Sequence, residues 1–176
     1  DALPIPVADP LAAPRRHLRL GPRWESVRRA SRGNGVIVAE LELPAAVADD
    51  ADAWRLHPAL ADVATALGVC LAVSPPADDV IVPVAYADVW VRPQLPRRLR
   101  VCAERHPDST PETLRVDLGA VDDEGNAAFE ICGLELRPVP ATRWKHDVEP
   151  TPIPAPRATG RSLADLADEL GLRAAE

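Results

Sequence analysis

The amino-acid sequence predicts an α+β fold in which a curved antiparallel sheet wraps around one central, buried helix. Segments with strand-like patterns outnumber the single long helical segment, and hairpin-type loops join most neighbouring strands, which favours antiparallel pairing. The helical segment is apolar nearly all round, so it has to be enclosed rather than lie on a surface. The 20 prolines in 176 residues exclude an all-helical bundle.

The first two predicted strands span residues 23–31 and 36–43, and a tight turn joins them. The turn carries Asn34 followed by glycine, a dipeptide that readily adopts the positive φ angles of a two-residue hairpin. The second strand has the clearest alternation of the whole chain. Pro44 ends it, and we predict an acidic loop over residues 45–53.

The buried helix follows, within residues 56–72. Pro58 suits its first position, where the N–H that proline lacks would have no partner inside the helix, and Ser-Pro-Pro at 74–76 closes it. Residues 80–84 and 86–91 together are predicted to form one strand, with a candidate bend at Pro83. Three further predicted strands follow at 98–104, 113–120 and 127–136. A hairpin loop over 121–126 joins the last two. Two strands, one enclosed helix and four strands are the layout of a hotdog fold.

Proline-rich segments flank this predicted domain at both ends. We predict a linker over residues 1–16, the hotdog domain over 17–140, and a second proline-rich linker with a short C-terminal helix over 141–176. Ser162 is the candidate N-cap of that helix, and a glycine after residue 170 would stop it. Because the first residue is not methionine, we expect the chain to be a piece of something longer, with removal of an initiator methionine or processing as the alternative.

Charge and cysteine content exclude several classes of function. The formal net charge is −7, which disfavours a protein that binds nucleic acid through its phosphates, and no apolar stretch reaches the length of a membrane span. Cys70, Cys102 and Cys132 each lie in an apolar run, so we expect buried free thiols and a reducing, cytoplasmic location. The spacing of histidines and cysteines predicts no metal site, and the sequence contains no nucleotide-binding motif.

One ionisable residue, Asp62, lies within the apolar helix. Two interpretations are open from the pattern alone. In the first, the carboxyl group lies in an apolar wall, where desolvation favours its protonated form and allows it to act as a general acid. In the second, the acid lies in the first turns of the helix, where the dipole favours it, and faces solvent.

Residues 56–62, Leu-His-Pro-Ala-Leu-Ala-Asp, resemble the "LHPALLD" motif of polyketide synthase dehydratase domains, which opens the central helix of the second hotdog half. Residues 17–24 are similar to the "GYxYGPxF" segment that begins that half. Residues 82–86 resemble the "LPFSW" strand after the helix, and residues 123–139 resemble the "DxxGxPV…LxLRPV" ending. The resemblance covers roughly residues 17–140, with the motifs in the family's order.

The resemblance implies a function for the chain. In that family two hotdogs lie side by side: a histidine from an "HxxxGxxxxP" motif in the first removes the α-proton of a β-hydroxyacyl group on an acyl carrier protein. An aspartate of the second protonates or holds the departing hydroxyl, which leaves an α,β-unsaturated thioester. By resemblance, this chain is the C-terminal half and Asp62 is that aspartate. The residues expected around the substrate pocket are His57, Pro58, Ala66, Gly21, Pro22 and Tyr86.

The resemblance also implies partners: an acyl carrier protein, and either an N-terminal hotdog half or a second copy of the chain. No cofactor is expected beyond the phosphopantetheine arm of the carrier. For His57 the sequence favours a structural role at the helix start over a catalytic one, and for Tyr86 it favours an ordinary strand aromatic over a pocket hydroxyl.

Several positions depart from the family pattern. The histidine motif is absent, and Ala66 stands where the family often has a glutamine or histidine that orients the aspartate. Leu18 and Leu20 replace the two tyrosines of "GYxYGPxF". Two alternatives therefore stay open: a non-catalytic hotdog that serves carrier-protein docking or dimerisation, and a dehydratase-like cyclase, isomerase or thioester hydrolase.

Overall fold

One antiparallel sheet of eight strands dominates the computed structural model, which describes residues 5–54, 56–73 and 78–143. The strands follow the order β1-β2-β3-β6-β7-β8-β4, and β5 also pairs with β8. Their bounds are Ile5–Pro6 (β1), Val27–Gly33 (β2), Val36–Glu42 (β3), Asp79–Ala85 (β4), Asp88–Val91 (β5), Arg98–Arg105 (β6), Leu114–Val121 (β7) and Ala127–Pro140 (β8). The predicted fold class, an antiparallel sheet around a single long helix, is confirmed.

The central helix α2 spans Pro58–Leu67 and continues as a 3₁₀ helix over Gly68–Leu71. The sequence pattern predicts one α-helix as far as residue 72, so its last turn differs from the prediction. At Gly68 the chain lies so close to the sheet that an added Cβ would be 3.0 Å from Leu136 Cδ1. The glycine therefore permits a close approach between helix and sheet that a larger residue would obstruct.

The core lies between α2 and the inner face of the sheet. Burial alternates along β3, β6 and β7, as expected for strands with one face covered. The largest fully buried side chains all belong to this core: Leu11, Ile37, Leu41, Leu60, Leu67, Leu99, Phe129, Leu134 and Leu136. Small residues of the helix, such as Ala59 and Ala64, let the sheet come close to it.

Both predicted hairpins form. Asn34 and Gly35 have φ angles of 49° and 77° and connect β2 to β3, as their sequence predicts. In the loop between β7 and β8, the side chain of Asp122 accepts hydrogen bonds from the backbone N–H groups of Glu124 and Asn126. Arg92 Nη1 lies 2.8 Å from the same carboxylate, and chiefly because of this hydrogen bond the pKa of Asp122 falls to about 2.

A β-bulge at Gly133 divides β8 into two parts. Cys132 and Gly133 together oppose Asp117, whose Oδ1 accepts a 2.7 Å hydrogen bond from the Gly133 N–H. Because of the extra residue, Ile131 and Leu134 both point into the core. β5 pairs with the chain before the bulge and β4 with the chain after it. Thus 80–91, expected as one bent strand, forms two separate strands that pair with the same neighbour.

Other expectations need correction. Part of the predicted N-terminal linker is folded: β1 pairs with β2, a short helix α1 spans Ala12–Arg15, and Leu11 is only 2 % exposed. A proline-rich composition is compatible with an edge strand, where a missing N–H costs nothing if it faces away from the neighbour. Residues 22–24 form a 3₁₀ turn before β2 begins, and the predicted acidic loop is a 3₁₀ helix over Ala45–Ala53.

The predicted burial of the thiols is wrong for two of the three cysteines. Cys102 and Cys132 are exposed, because each lies on the outward face of a strand whose neighbouring positions face the core. Cys70 is half-buried, and burial raises the pKa of its thiol. In the described part of the chain, no helix is long and apolar enough to cross a membrane. The predicted C-terminal helix around Ser162 lies outside the described residues.

Candidate active site

The start of α2 is built by the His-Pro pair of the motif. His57 is the N-cap: its Nδ1 accepts a 3.2 Å hydrogen bond from the Ala59 N–H, and its ring is only 4 % exposed. Pro58 takes the first helical position, as predicted. The ring of Trp54 meets the imidazole edge-on, with centroids 6.4 Å apart. The structure therefore places His57 in the structural role that the sequence left open, and this pair determines where the helix begins.

Asp62 lies on the outer side of α2. Leu60, Val63 and Ala64 face the core, so the helical period turns the Asp62 side chain outward, and it is exposed. The solvent-facing interpretation of the sequence pattern is therefore the one that this chain shows, and the expectation of a carboxyl group within an apolar wall is wrong. Its Oδ2 accepts a hydrogen bond from the indole Nε1–H of Trp24.

Gly21 and Pro22 position this tryptophan. Gly21 has an extended backbone and precedes the 3₁₀ turn Pro22–Trp24, in which the Trp24 N–H donates to the Gly21 carbonyl at 3.0 Å. Neither Gly21 nor Pro22 lines the cavity beside Asp62. They contribute to the site indirectly, because they position Trp24, whose indole N–H donates to the Asp62 carboxylate.

A small cavity of about 110 Å³ adjoins Asp62. Ala66, one helical turn after Asp62, lines it together with Trp24 and Thr65. The rest of the lining is apolar and comes from the N-terminal segment, from the 3₁₀ helix after α2, from β4 and from β8: Leu11, Pro14, Leu18, Leu20, Val69, Val80, Ile81, Val82, Pro83 and Leu136. The Asp62 carboxylate is thus the one ionisable group among the described residues of this cavity.

Leu18 and Leu20 make this side of the cavity apolar. The family motif has tyrosines at these positions, whereas this chain presents two aliphatic side chains to the cavity. Without the phenolic hydroxyls, polar contacts in the cavity are left to Asp62, Trp24 and Thr65. The Thr65 hydroxyl donates to the Asp62 backbone carbonyl at 2.9 Å, and this contact keeps it within its own helix.

Tyr86 does not join the other predicted site residues. It lies between β4 and β5, is 47 % exposed and does not line the cavity. Of the predicted site, the structure therefore brings together Asp62 and Ala66, places Gly21 and Pro22 beside them, and leaves Tyr86 apart.

Trp24 is the residue that sequence reasoning missed. Its signal was present, because it occupies the aromatic position of the "GYxYGPxF" segment. No local pattern could show that its indole reaches an aspartate 38 positions later. Among the described residues, no group of three or more histidine, cysteine or acidic side chains is arranged to hold a metal ion.

Residues 12–144 match the family model described as "Polyketide synthase dehydratase N-terminal domain". The chain belongs to the polyketide synthase dehydratase family. A curated relative, the polyketide synthase PksN of Bacillus subtilis strain 168, is 25% identical over 117 residues, which are 66% of this chain and 2% of that protein. This chain therefore matches only a small part of a far longer synthase.

Solved dehydratase structures share the fold. The bifunctional dehydratase-cyclase domain of ambruticin biosynthesis aligns with a TM-score of 0.65 and 26% identity, over 79% of this chain and 49% of that one. The CurK dehydratase, solved as a His-to-Phe and as an Asp-to-Asn inactive mutant, aligns with TM-scores of 0.67 and 0.66 at 21% identity, over 79% and 77% of this chain. The chain spans about half the length of these solved chains.

Proposed function

We propose that this chain is the C-terminal hotdog half of a dehydratase and that Asp62 takes part in the elimination of water from a β-hydroxyacyl thioester carried by an acyl carrier protein. A histidine of the other half would take the α-proton, and the electron pair of that C–H bond forms the new double bond. The bond between the β-carbon and its hydroxyl breaks, and Asp62 supplies the proton that converts the leaving hydroxide into water. The product is an α,β-unsaturated thioester.

One observation carries the proposal: the motif aspartate stands at the edge of a cavity lined mostly by apolar side chains, with one oxygen already held by an indole N–H. Once a second half covers this exposed carboxylate and excludes water, the apolar lining strengthens its interaction with developing charge on a leaving oxygen. The CurK dehydratase offers a parallel, since its aspartate and histidine variants are each described as inactive.

The assignment to the C-terminal half rests on motifs. The matching family model is named for the N-terminal domain, whereas the chain contains the His-Pro-Ala-Leu-x-Asp sequence over 57–62 and no "HxxxGxxxxP" motif. The helix that this sequence opens is the central helix of the fold. We give weight to the motif because it accounts for the position of Asp62, which a domain label does not.

A second hotdog half would complete the site. The solved dehydratase chains are about twice as long as the part of them that this chain matches. Asp62 is exposed in this half, so a histidine from another half can approach it. Along β4, β5 and the turn between them, four side chains are each between 47 % and 48 % exposed and offer apolar surface that a second half could cover: Val84, Tyr86, Val89 and Trp90.

The test is Asp62→Asn in the complete synthase that contains this chain. The carrier protein is loaded with a β-hydroxyacyl group, and loss of water from the carrier-bound chain is followed by mass spectrometry. We expect a fall of about 10²- to 10⁴-fold in the rate of dehydration, the range for loss of a general acid. Asp108→Asn is the matched control, since Asp108 is also exposed but lies near His106 in a loop. Dehydration at the wild-type rate in Asp62→Asn would refute the role of Asp62 and favour a docking module.

The likeness to a dehydratase-cyclase supports a second candidate function, dehydration followed by ring closure. Addition of a chain hydroxyl across the new double bond leaves the mass unchanged, so mass alone does not separate the two outcomes. Release of the product and its NMR spectrum do, because a ring ether lacks the vinyl protons of the unsaturated acid. Vinyl signals alone would exclude the cyclase; their absence would establish it.

A further inference from the structure

We propose that Trp24 is a positioning residue for Asp62: its indole N–H holds Oδ2 of the carboxylate, so that Oδ1 faces the hydroxyl of the substrate. The catalytic consequence rests on the proposed function. The hydrogen bond itself does not depend on that function, because it is a feature of the structure: it joins the 3₁₀ turn before β2 to the central helix.

The chemistry of the donor makes this contact one-directional. An indole N–H donates and never accepts, and it does not titrate in the range where enzymes work. Its bond to Asp62 therefore persists whether a proton is on Oδ1 or has been given to the leaving group. A donor that neither competes for the proton nor changes charge during the cycle can fix the geometry of an acid without entering the proton transfer.

Trp24 is itself firmly held. Pro22 has a restricted φ angle and begins the 3₁₀ turn, and the Glu25 N–H closes a second hydrogen bond to the Pro22 carbonyl at 3.2 Å. The indole ring is half-buried and packs against the hydrophobic core. The ring therefore has a fixed place relative to α2, whereas an aspartate on the exposed face of a helix has several rotamers open to it.

The neighbouring positions of α2 supply no substitute for this donor. Ala66, one turn after Asp62, has no polar group, and the Thr65 hydroxyl already donates to a backbone carbonyl. In the ranges that the structure describes, Trp24 is the side chain that donates to the Asp62 carboxylate. A glutamine at position 66 could take over, because residues four apart on a helix are neighbours and a Gln–Asp pair at that spacing forms a hydrogen bond.

The contact is tested first without any catalysis. In the ¹⁵N-labelled full chain, the indole N–H signal of Trp24 is identified as the one that disappears in Trp24→Phe. We expect Asp62→Asn to move this signal, and Asp108→Asn, an exposed charge removed elsewhere, to leave it in place. A Trp24 signal that stays unchanged in Asp62→Asn would overturn the proposal, whatever the protein catalyses.

The role is tested next in the complete synthase. Trp24→Phe keeps an aromatic ring and removes only the donor; we expect kcat to fall about 10- to 100-fold with KM little changed, the size of effect that a misplaced catalytic group produces. We expect Ala66→Gln in the Trp24→Phe background to restore most of kcat, and Ala66→Leu, of similar bulk but without a donor, not to restore it.

The outcomes separate this inference from the proposed function. A wild-type kcat in Trp24→Phe, or equal recovery with leucine and glutamine at position 66, would overturn the positioning role while dehydration by Asp62 stands. A wild-type synthase that does not dehydrate its substrate would refute the proposed function, and the NMR measurement would still decide whether Trp24 holds Asp62.

Discussion

Gly133 offers the sharpest test of how the sheet holds its shape. Its φ is +60°, a region that costs an L-residue about 1–2 kcal/mol. A Cβ at this position would lie 2.8 Å from the Ala87 Cβ, closer than two carbon atoms tolerate. Relieving such an overlap in a packed region costs about 1–3 kcal/mol. We therefore expect Gly133→Ala to lower the free energy of unfolding by about 2–5 kcal/mol.

Gly125 provides a matched control, because its φ is +87° but an added Cβ would meet no atom within 4 Å. Gly125→Ala should therefore show the conformational cost alone, about 1–2 kcal/mol. A second control removes the obstruction: Ala87→Gly in the Gly133→Ala background leaves the nearest Ala87 backbone atom 3.8 Å away, at ordinary contact distance. That double variant should fall close to Gly125→Ala in stability.

Thermal unfolding followed by circular dichroism measures these differences. For a chain of this length each kcal/mol corresponds to about 2–4 °C in Tm, so Gly133→Ala should unfold about 4–20 °C below the wild type. Equal losses for Gly133→Ala and Gly125→Ala would refute the steric part of the argument. If Ala87→Gly recovers no stability in the Gly133→Ala background, the Ala87 Cβ is not the atom that obstructs the added methyl group.

Two further predictions concern polar contacts away from the sheet's bulge. Because the hydrogen bond from Arg92 lowers the pKa of Asp122 from its ordinary 3.8 to about 2, the stability that this contact contributes is present above pH 3.8 and is lost as the pH falls towards 2. The Tm of the wild type should thus fall more steeply between pH 4 and pH 2 than that of Asp122→Asn; parallel curves would contradict this. His57→Ala removes the N-cap acceptor for the Ala59 N–H and should lower the free energy of unfolding by about 0.5–2 kcal/mol in urea titrations, whereas His57→Asn, which keeps a capping acceptor, should lose less.

Much of the fold was predictable because each element has a local signal. Asn34 and the glycine after it specify a turn through their own backbone preferences, and Pro58 marks the start of a helix for the same kind of reason. The enclosure of α2 follows from its composition, since a helix with so few polar residues needs a covered surface. These signals depend only on residues that are close in sequence, so they can be recognised before the fold is known.

The errors arise where contacts distant in sequence decide the outcome. Leu11 is buried because a pocket of the core accepts it, although its proline-rich surroundings suggest a linker. Gly133 did carry a sign of the bulge, since core residues Ile131 and Leu134 are three apart and a regular strand would place them on opposite faces. The motif located Asp62, but only the packed structure shows that the carboxylate is exposed and that Trp24 is its partner.

The pairing of β3 with β6 has a consequence for how the chain reaches its native state. Hairpins β2–β3 and β6–β7 join segments that are close in sequence, whereas the pairing that runs from Val36 with Glu104 to Glu42 with Arg98 closes a long loop that contains α2. Closing a loop of this length costs conformational entropy before the contacts between the two strands can stabilise the structure. We therefore expect this step to set the rate of folding. Because α2 lies within this loop and contacts β3, and the 3₁₀ helix that continues it contacts β6, we expect the helix to dock on the sheet in the same step.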